Sequence, residues 1–498
     1  MNSKNNMKIT KYIAIACAII SLASCDDWLG NKPKGYTIPE TYADYEKLMA
    51  NQSLFNVLDP YLVYFTDDPM MVEKGETTVE WFEYIGKKDH ERNIFSFQPG
   101  QVYTPGNSDA IWEDAYSNIF NYNAIINNVL SSTGGGDANK RRLQAEALVG
   151  RAFEYLCLIN VYGKHYDAST AATDYGVPLV LSEEVGGGKY KRHTVAEVYE
   201  QIKEDLETAS ASLADKRSFP FYPTKNACYS VLSRMYLYMG NYSEALKYAN
   251  MILSDPQNIQ LIEYKNYKKI DGTQWRNIVT DDEKETQFPD GQYGFPSPEQ
   301  LYTRYVRNHT FNSVAESEDL RQAFAKNTDT EAGEVDLRED LFFRSDCMNR
   351  GAGMEYFEGY TVYTAWIQIN AGTSIPEMLL TAAECEARVG STSKAIGYLN
   401  TLRASRIKNH IAYDAADYTD RQKALQLVLD ERRCEFAMIG YMRYVDLRRL
   451  NKEPQFAKTI VHKVGNETWE LPANDPRYIM PVPQNVLEYN PDIPQYER

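Results

Sequence analysis

No stretch of this 498-residue chain stays apolar long enough to cross a bilayer as a helix, which takes roughly 20 residues. The histidines, His90, His165, His193, His309, His410 and His462, stand isolated, and neither H-E-x-x-H nor C-x-x-C nor G-x-S-x-G occurs. The common signatures of zinc hydrolases, dithiol redox proteins and serine hydrolases are therefore missing. Gly186-Gly187-Gly188-Lys189 lacks the Walker spacing and its hydroxyl residue, so it reads as a turn and not as a phosphate loop. No block of Lys or Arg forms a stripe, and the formal charge is −16. Nucleic-acid binding rests largely on neutralising phosphates, so a nucleic-acid ligand is not expected. The acidity itself reads as solubility.

Cysteine is scarce, and its placement is informative. Cys17 sits in a short apolar run, Tyr12 to Ile20, that follows Lys4, Lys8 and Lys11 and leads to Leu22-Ala23-Ser24-Cys25. A basic head, a short apolar run and a small-residue cleavage site make a secretory signal over residues 1–24. Cys25 directly after Leu-Ala-Ser resembles a bacterial lipobox, in which the thiol is acylated and becomes the new N-terminus. Several acyl chains hold a protein far more firmly than one, at about 0.8 kcal/mol per buried methylene. Removing the signal takes three lysines and no acid, which moves the charge from −16 to about −19. Of the other cysteines, Cys157, Cys228, Cys347, Cys385 and Cys434, four lie in helical apolar patterns without paired spacing and are expected to be buried free thiols.

Aromatic residues are plentiful, with 38 tyrosines, 18 phenylalanines and 6 tryptophans. After Cys25 the segment to residue 40 has no periodicity and reads as an extended tether. Thr41 opens a short helix, and from Asn56 to Asn107 the pattern breaks into short aromatic pieces. Helical spacing then dominates: Ile111 to Ile126, Lys140 to Tyr162, Val195 to Leu213, and Thr224 to Met239. Met239-Gly240-Asn241-Tyr242-Ser243-Glu244-Ala245-Leu246, running on to Pro256, has the turn glycine, aromatic, alanine and terminal proline of a tetratricopeptide repeat. The frame recurs with Gly390 and Ala395 aligned on Gly240 and Ala245. Residues 257–372 differ, being rich in Gly, Pro, Asp and aromatics with little helical period, and they read as an ordered, loop-rich insertion. The expected fold is mainly α, a scaffold of tetratricopeptide-like helical pairs over 41–256 and 373–498 with that insertion between.

Several ordered motifs carry a family resemblance over essentially the whole chain. They are Cys25-Asp26-Asp27-Trp28-Leu29 with Lys34-Gly35-Tyr36, Tyr122-Asn123-Ala124-Ile125-Ile126, Ala145-Glu146-Ala147-Leu148 with Arg151-Ala152-Phe153, and Ala382-Ala383-Glu384-Cys385-Glu386-Ala387. The most specific is Glu431-Arg432-Arg433-Cys434-Glu435-Phe436 running into Gly440, Arg443, Asp446 and Arg448, followed by Tyr478-Ile479-Met480-Pro481-Val482-Pro483. Together they resemble the SusD/RagB family of Bacteroidetes nutrient-binding lipoproteins. Two positions depart from the family pattern: Ile439 stands where a Glu is expected, and the tail runs Ile493-Pro494-Gln495-Tyr496 instead of ending in Gln-Asn. Both lie in what reads as scaffold.

The resemblance implies a lipid-anchored protein on the outer membrane, facing the cell exterior above a TonB-dependent, SusC-like transporter. It implies capture and hand-over of oligosaccharide, or of peptide in some members, without catalysis. Asp26 and Asp27 resemble the family's acidic export signal. The alternatives from the residues are a peptide binder, a surface glycoside hydrolase and a purely protein-binding repeat scaffold. Glu431 and Glu435 share a helix face, the arrangement that invites a reading as the paired carboxylates of a glycosidase. The plainer reading is a structural ion network with Arg443 and Asp446. No cofactor or metal is expected, since Asp281-Asp282 and Asp290-Gly291 lack the alternating-ligand spacing of a calcium loop.

A sugar is recognised by stacking its apolar face on Trp or Tyr while polar side chains bond its hydroxyls. Trp112 falls on a helical apolar stripe, Trp366 and Trp469 adjoin alternating apolar segments, and all three read as core; Trp28 lies in the tether. Trp81 and Trp275 remain, in irregular stretches amid charged residues, and are the ligand platform expected here, with Tyr84 and Tyr293 as further candidates. This choice comes from the residues and not from a family motif.

Overall fold

Helices begin where the caps precede an apolar period. Thr194 accepts the backbone N–H of Glu197 while the Glu197 carboxylate accepts the Thr194 N–H, a capping box that opens Val195–Ser210. Thr41 and Asp44 do the same for Tyr42–Met49. The computed structural model describes residues 39–58, 60–72, 89–183, 190–269, 278–280, 297–306, 314–345, 348–349, 355–356, 359–363 and 370–498.

In chain order the helices are α1 (Tyr42–Met49), α2 (Asp89–Phe95), α3 (Ala110–Asn128), α4 (Asp137–Tyr162), α5 (Val195–Ser210), α6 (Lys225–Tyr238) and α7 (Tyr242–Leu253). After them come α8 (Glu318–Lys326), α9 (Leu337–Phe342), α10 (Ile375–Val389), α11 (Thr392–Arg406), α12 (Arg421–Glu435), α13 (Gly440–Leu450) and α14 (Gln484–Tyr489). From α3 to α7 each packs on the next; α7 then packs on α10, and α10 on α11 and α12. The two tetratricopeptide-like pairs, α6–α7 and α10–α11, thus stand side by side although their equivalent positions, such as Gly240 and Gly390, are 150 residues apart. Ala245 and Ala395 are fully buried at equivalent places in the second helix of each pair, where the absence of a larger side chain permits close approach. The fold is mainly α, as the periodicity predicts.

The core is centred on α4, whose residues from Ala145 to Tyr162 are all buried. The aromatic piece Tyr61-Leu62-Val63-Tyr64-Phe65 forms a buried 3₁₀ turn against α13 and is core, not loop surface. Trp112 is core as expected, Trp469 is half-buried with its edge toward Phe95, and Trp28 and Trp366 lie outside the described residues. Cys157, Cys228, Cys385 and Cys434 are buried free thiols, and Cys347 lies outside the described residues.

The described part of 257–372 contains two helices that periodicity did not reveal. Ser317 caps α8 and Asp336 caps α9. In α8 only Leu320 and Phe324 are buried, and one such pair is too short a record to register as a period. The rest of this stretch forms short strands. Its largest sheet has four, ordered Pro69–Met71, Val314–Glu316, Thr361–Tyr363 and Phe343–Ser345, all antiparallel.

Candidate functional site

The four proposed platform residues, Trp81, Tyr84, Trp275 and Tyr293, lie outside the described residues, as do Cys25, Asp281, Asp282 and Asp290. The described residues that flank them are informative. In the four-stranded sheet Met71 stands opposite Val314, Val362 opposite Ala315, and Tyr363 opposite Phe343. Antiparallel register therefore puts the end of the first strand, the start of the second and the end of the third at one edge. Segment 73–88, with Trp81 and Tyr84, leaves from that edge; segment 307–313 arrives there and 364–369 leaves from it. The hairpin Tyr267–Lys269/Ile278–Thr280 spans the segment that holds Trp275 and packs on α9. Helix α9 runs directly into the sheet strand Phe343–Ser345. Segments far apart in sequence thus have their bases close together in the fold.

A cavity of about 110 Å³ adjoins these bases. Tyr264, Phe342, Phe343 and Tyr363 supply its aromatic walls, and Glu299, Arg338 and Glu435 supply charge. The rings are edge-packed: Tyr264 meets Phe342 at 5.5 Å between centroids, and Phe343 meets Tyr363 at 5.2 Å. The charges form a closed network. Arg338 Nη1 lies 2.6 Å from Glu431 Oε1 and 2.9 Å from Glu435 Oε2, and Arg406 Nη2 lies 2.8 Å from Glu299 and 3.0 Å from Glu435. Arg403 donates to the other oxygen of Glu431 at 2.6 Å.

This geometry decides between the two readings of the Glu-Arg-Arg-Cys-Glu run. Burial pushes the Glu431 carboxyl up, but Arg338 and Arg403 outweigh it and hold it down at about 2. A carboxyl kept ionised and saturated by arginines has no proton to give, which is what a glycosidase acid must do. The network is structural. Its partners differ from those expected, however, because successive side chains leave the helix in different directions. Glu431 and Glu435 meet Arg338, Arg403 and Arg406, Arg432 meets Asp446 at 2.7 Å, and Arg433 meets Asp68 and Asp319. Arg443 is bound by Asp67 at 2.8 Å, apart from the glutamates. Helical spacing identified the shared face, but nothing local pointed to Arg338, which comes from a helix that periodicity had missed.

Sequence reasoning also passed over an aromatic surface. Phe221 stacks on Phe55 at 4.4 Å and meets Tyr305 edge-on at 5.6 Å, while Phe219 next to it is 51% exposed. Tyr305 and Val306 lead into segment 307–313, so this surface borders the same group of segments. The run Phe219-Pro220-Phe221-Tyr222-Pro223 was the available signal, because prolines break helical and strand period and leave the aromatics clustered on an irregular backbone.

Comparison with known proteins agrees in both halves of the chain. Residues 27–237 match a SusD-like family described as starch-binding associating with outer membrane, and residues 375–497 match the SusD family itself. SusD-like protein P25 of Formosa agariphila is 23% identical over an alignment covering 97% of this chain and 98% of that protein. Among solved structures, a SusD superfamily protein from Bacteroides thetaiotaomicron superposes with a TM-score of 0.67 at 21% identity, covering 92% of this chain and 100% of that one. A SusD-like carbohydrate binding protein from Bacteroides vulgatus gives 0.62 at 18% identity, covering 91% and 98%. At such identities the structural likeness speaks for the fold.

Proposed function

This chain belongs to the SusD/RagB family, and from that premise we propose that it is a surface lipoprotein that captures glycan and delivers it to a SusC-like, TonB-dependent transporter. The observation that carries the reading is the sheet register described above. It gathers the bases of the Trp81 segment and of the loop-rich segments at one edge, on a scaffold whose two flanking halves both match the family. Aromatics on gathered segments suit a sugar face, and irregular segments on a rigid helical base are where binding residues concentrate. The protein acts by weak stacking and hydrogen bonding followed by release, and the transporter benefits from a raised local concentration of ligand. Anchoring is through lipid on Cys25; among the described residues no helix is long and apolar enough to cross a membrane.

The test is affinity electrophoresis or calorimetry of residues 26–498 against a panel of polysaccharides, with Trp81→Ala and Trp275→Ala alongside. Binding to one glycan class, abolished by either substitution in a chain that still melts cooperatively, is the expected result. No binding across the panel, with binding to a peptide pool instead, would overturn the glycan assignment.

A further inference from the structure

The cavity of about 110 Å³ beside the sheet edge holds no positive charge in reserve for a ligand. Arg338 is the one cation among its described lining residues, and a carboxylate engages each nitrogen of its guanidinium. Nε and Nη2 donate to Asp336 at 2.9 and 2.6 Å, while Nη1 donates to Glu435 at 2.9 Å and lies 2.6 Å from Glu431. Glu299 and Glu435 are both held by Arg406. A ligand carboxylate, sulfate or phosphate would enter with no counter-charge, which is costly in a buried place, so the cavity does not suit an anion.

Volume narrows the choice. A cavity of about 150 Å³ holds one benzene ring and a water takes roughly 30 Å³, so about 110 Å³ has room for about four non-hydrogen atoms. A sugar ring with its hydroxyls is too large, whereas one small substituent of a sugar fits. Part of that substituent is apolar, because the rings of Tyr264, Phe342, Phe343 and Tyr363 and the Ala437 methyl line the space.

The polar lining defines the other part. Asn370 Oδ1 accepts the backbone N–H of Arg304 and of Gly372, both at 2.9 Å. Those two bonds fix the amide and leave Nδ2 as a donor that no described residue accepts. Ser374 Oγ accepts the Glu377 N–H as the cap of α10, so its own O–H remains to be given. Glu299 Oε2 accepts a single bond, from Arg406 at 3.0 Å, and keeps a lone pair for a second. Pairing of Ser374 with Gln300 sets the serine beside Glu299. Two donors and one acceptor complement an amide, whose carbonyl takes the donors and whose N–H meets the carboxylate. An ester would leave Glu299 unmet.

We propose, on the glycan-capture reading above, that this cavity takes the acetamido group of an N-acetylhexosamine, with the sugar ring outside it. The carbonyl accepts from Asn370 and Ser374, the N–H donates to Glu299, and the methyl lies against the rings. Nitrogen, carbonyl carbon, oxygen and methyl fill the volume. Tyr363 and Asn370, which flank segment 364–369 in sequence, both line the cavity, and this sets it at the base of the gathered segments.

The test is titration of residues 26–498 with N-acetyl-D-glucosamine, D-glucose, N-acetyl-D-galactosamine and D-galactose, read by calorimetry and saturation-transfer NMR. In at least one of the two matched pairs the acetamido sugar is expected to bind at least about tenfold more tightly than its parent hexose, with the strongest saturation at the acetyl methyl. Equal affinities within both pairs, or silence from all four sugars, overturn the proposal. Asn370→Asp keeps the Oδ1 acceptor and exchanges only the donor, so it should weaken the acetamido sugar about threefold to tenfold. Unchanged affinity in an Asn370→Asp chain that melts like the parent would place the group elsewhere; if that chain does not fold, the matched pairs on the parent decide. Polysaccharide binding that Trp81→Ala abolishes, with no acetamido preference in the parent, would sink this proposal and leave glycan capture standing. Failure of every sugar and polysaccharide to bind would remove both.

Discussion

Arg234 and Glu377 form a two-pronged ion pair, with both bonds 2.6 Å long and both side chains 1% exposed. The same guanidinium donates to the carbonyls of Ala371 and Gly372. One side chain of α6 thereby fastens the start of α10 and the stretch that re-enters the scaffold from the loop-rich region. A buried pair of this kind is costly to break from one side, because the survivor keeps its charge in a place water cannot reach. Glu377→Ala is expected to cost about 3–5 kcal/mol, while the double change Arg234→Met with Glu377→Met recovers most of it. Urea melts of the parent and the two variants check this; a double variant as weak as the single would show that the pair does more than cancel its own charges.

The aligned glycines of the two repeat frames are needed for different reasons. Gly240 has φ +71°, with open space where a side chain would stand. Gly240→Ala should cost about 1–2 kcal/mol, and Gly240→Asn less. At Gly390 φ is negative, at −112°, but an added Cβ would lie 1.9 Å from Glu386 Oε2, the oxygen that accepts the Ser391 N–H at 2.7 Å. Gly390→Ala should cost about 1–3 kcal/mol by displacing that bond. Combining it with Glu386→Ala should cost clearly less than the sum of the two, whereas additive losses in denaturant melts would refute the steric account.

Glu154 gives the fold a pH dependence. Burial raises its carboxyl from 4.5 to about 8, against the opposing hydrogen bond from Asn118. Between those values the folded chain holds a proton that the unfolded chain has released, so stability is highest below the lower value and falls as pH rises toward the upper one. Glu154→Gln removes the term. Its advantage over the parent should be absent at pH 4.5 and reach about 2–4 kcal/mol by pH 8. Equal stability differences at both pH values would show that the carboxyl titrates normally.

Cys25→Ser should move the protein from the membrane pellet to the soluble fraction and remove incorporation of labelled palmitate. Retention in the pellet without label would mean that contacts to another protein, and not lipid, hold it at the membrane.

The helical scaffold was legible because its signals are local. Caps such as Thr194 and Thr224 and the apolar spacing from Ile111 to Ile126 are written within a few residues of where they act. Helices α8 and α9 were not legible, since helices of nine and six residues are too short to repeat a pattern. Tyr61 to Phe65 was read as an irregular aromatic piece because a 3₁₀ turn buried on all sides shows neither helical nor strand alternation.

For the candidate sites the division is sharper. Composition and motif order indicated the class of protein, and helical spacing placed Glu431 and Glu435 on one face. That Arg338 and Arg403 bind Glu431, and that Asp67 binds Arg443, follows only from the packing of segments separated by up to 376 positions. The physical reason is that secondary structure is set by short-range hydrogen bonding and side-chain period, which sequence displays directly. A buried charge or a polar cavity is defined by which distant groups exclude water from it, and that is settled only when the helices close on one another.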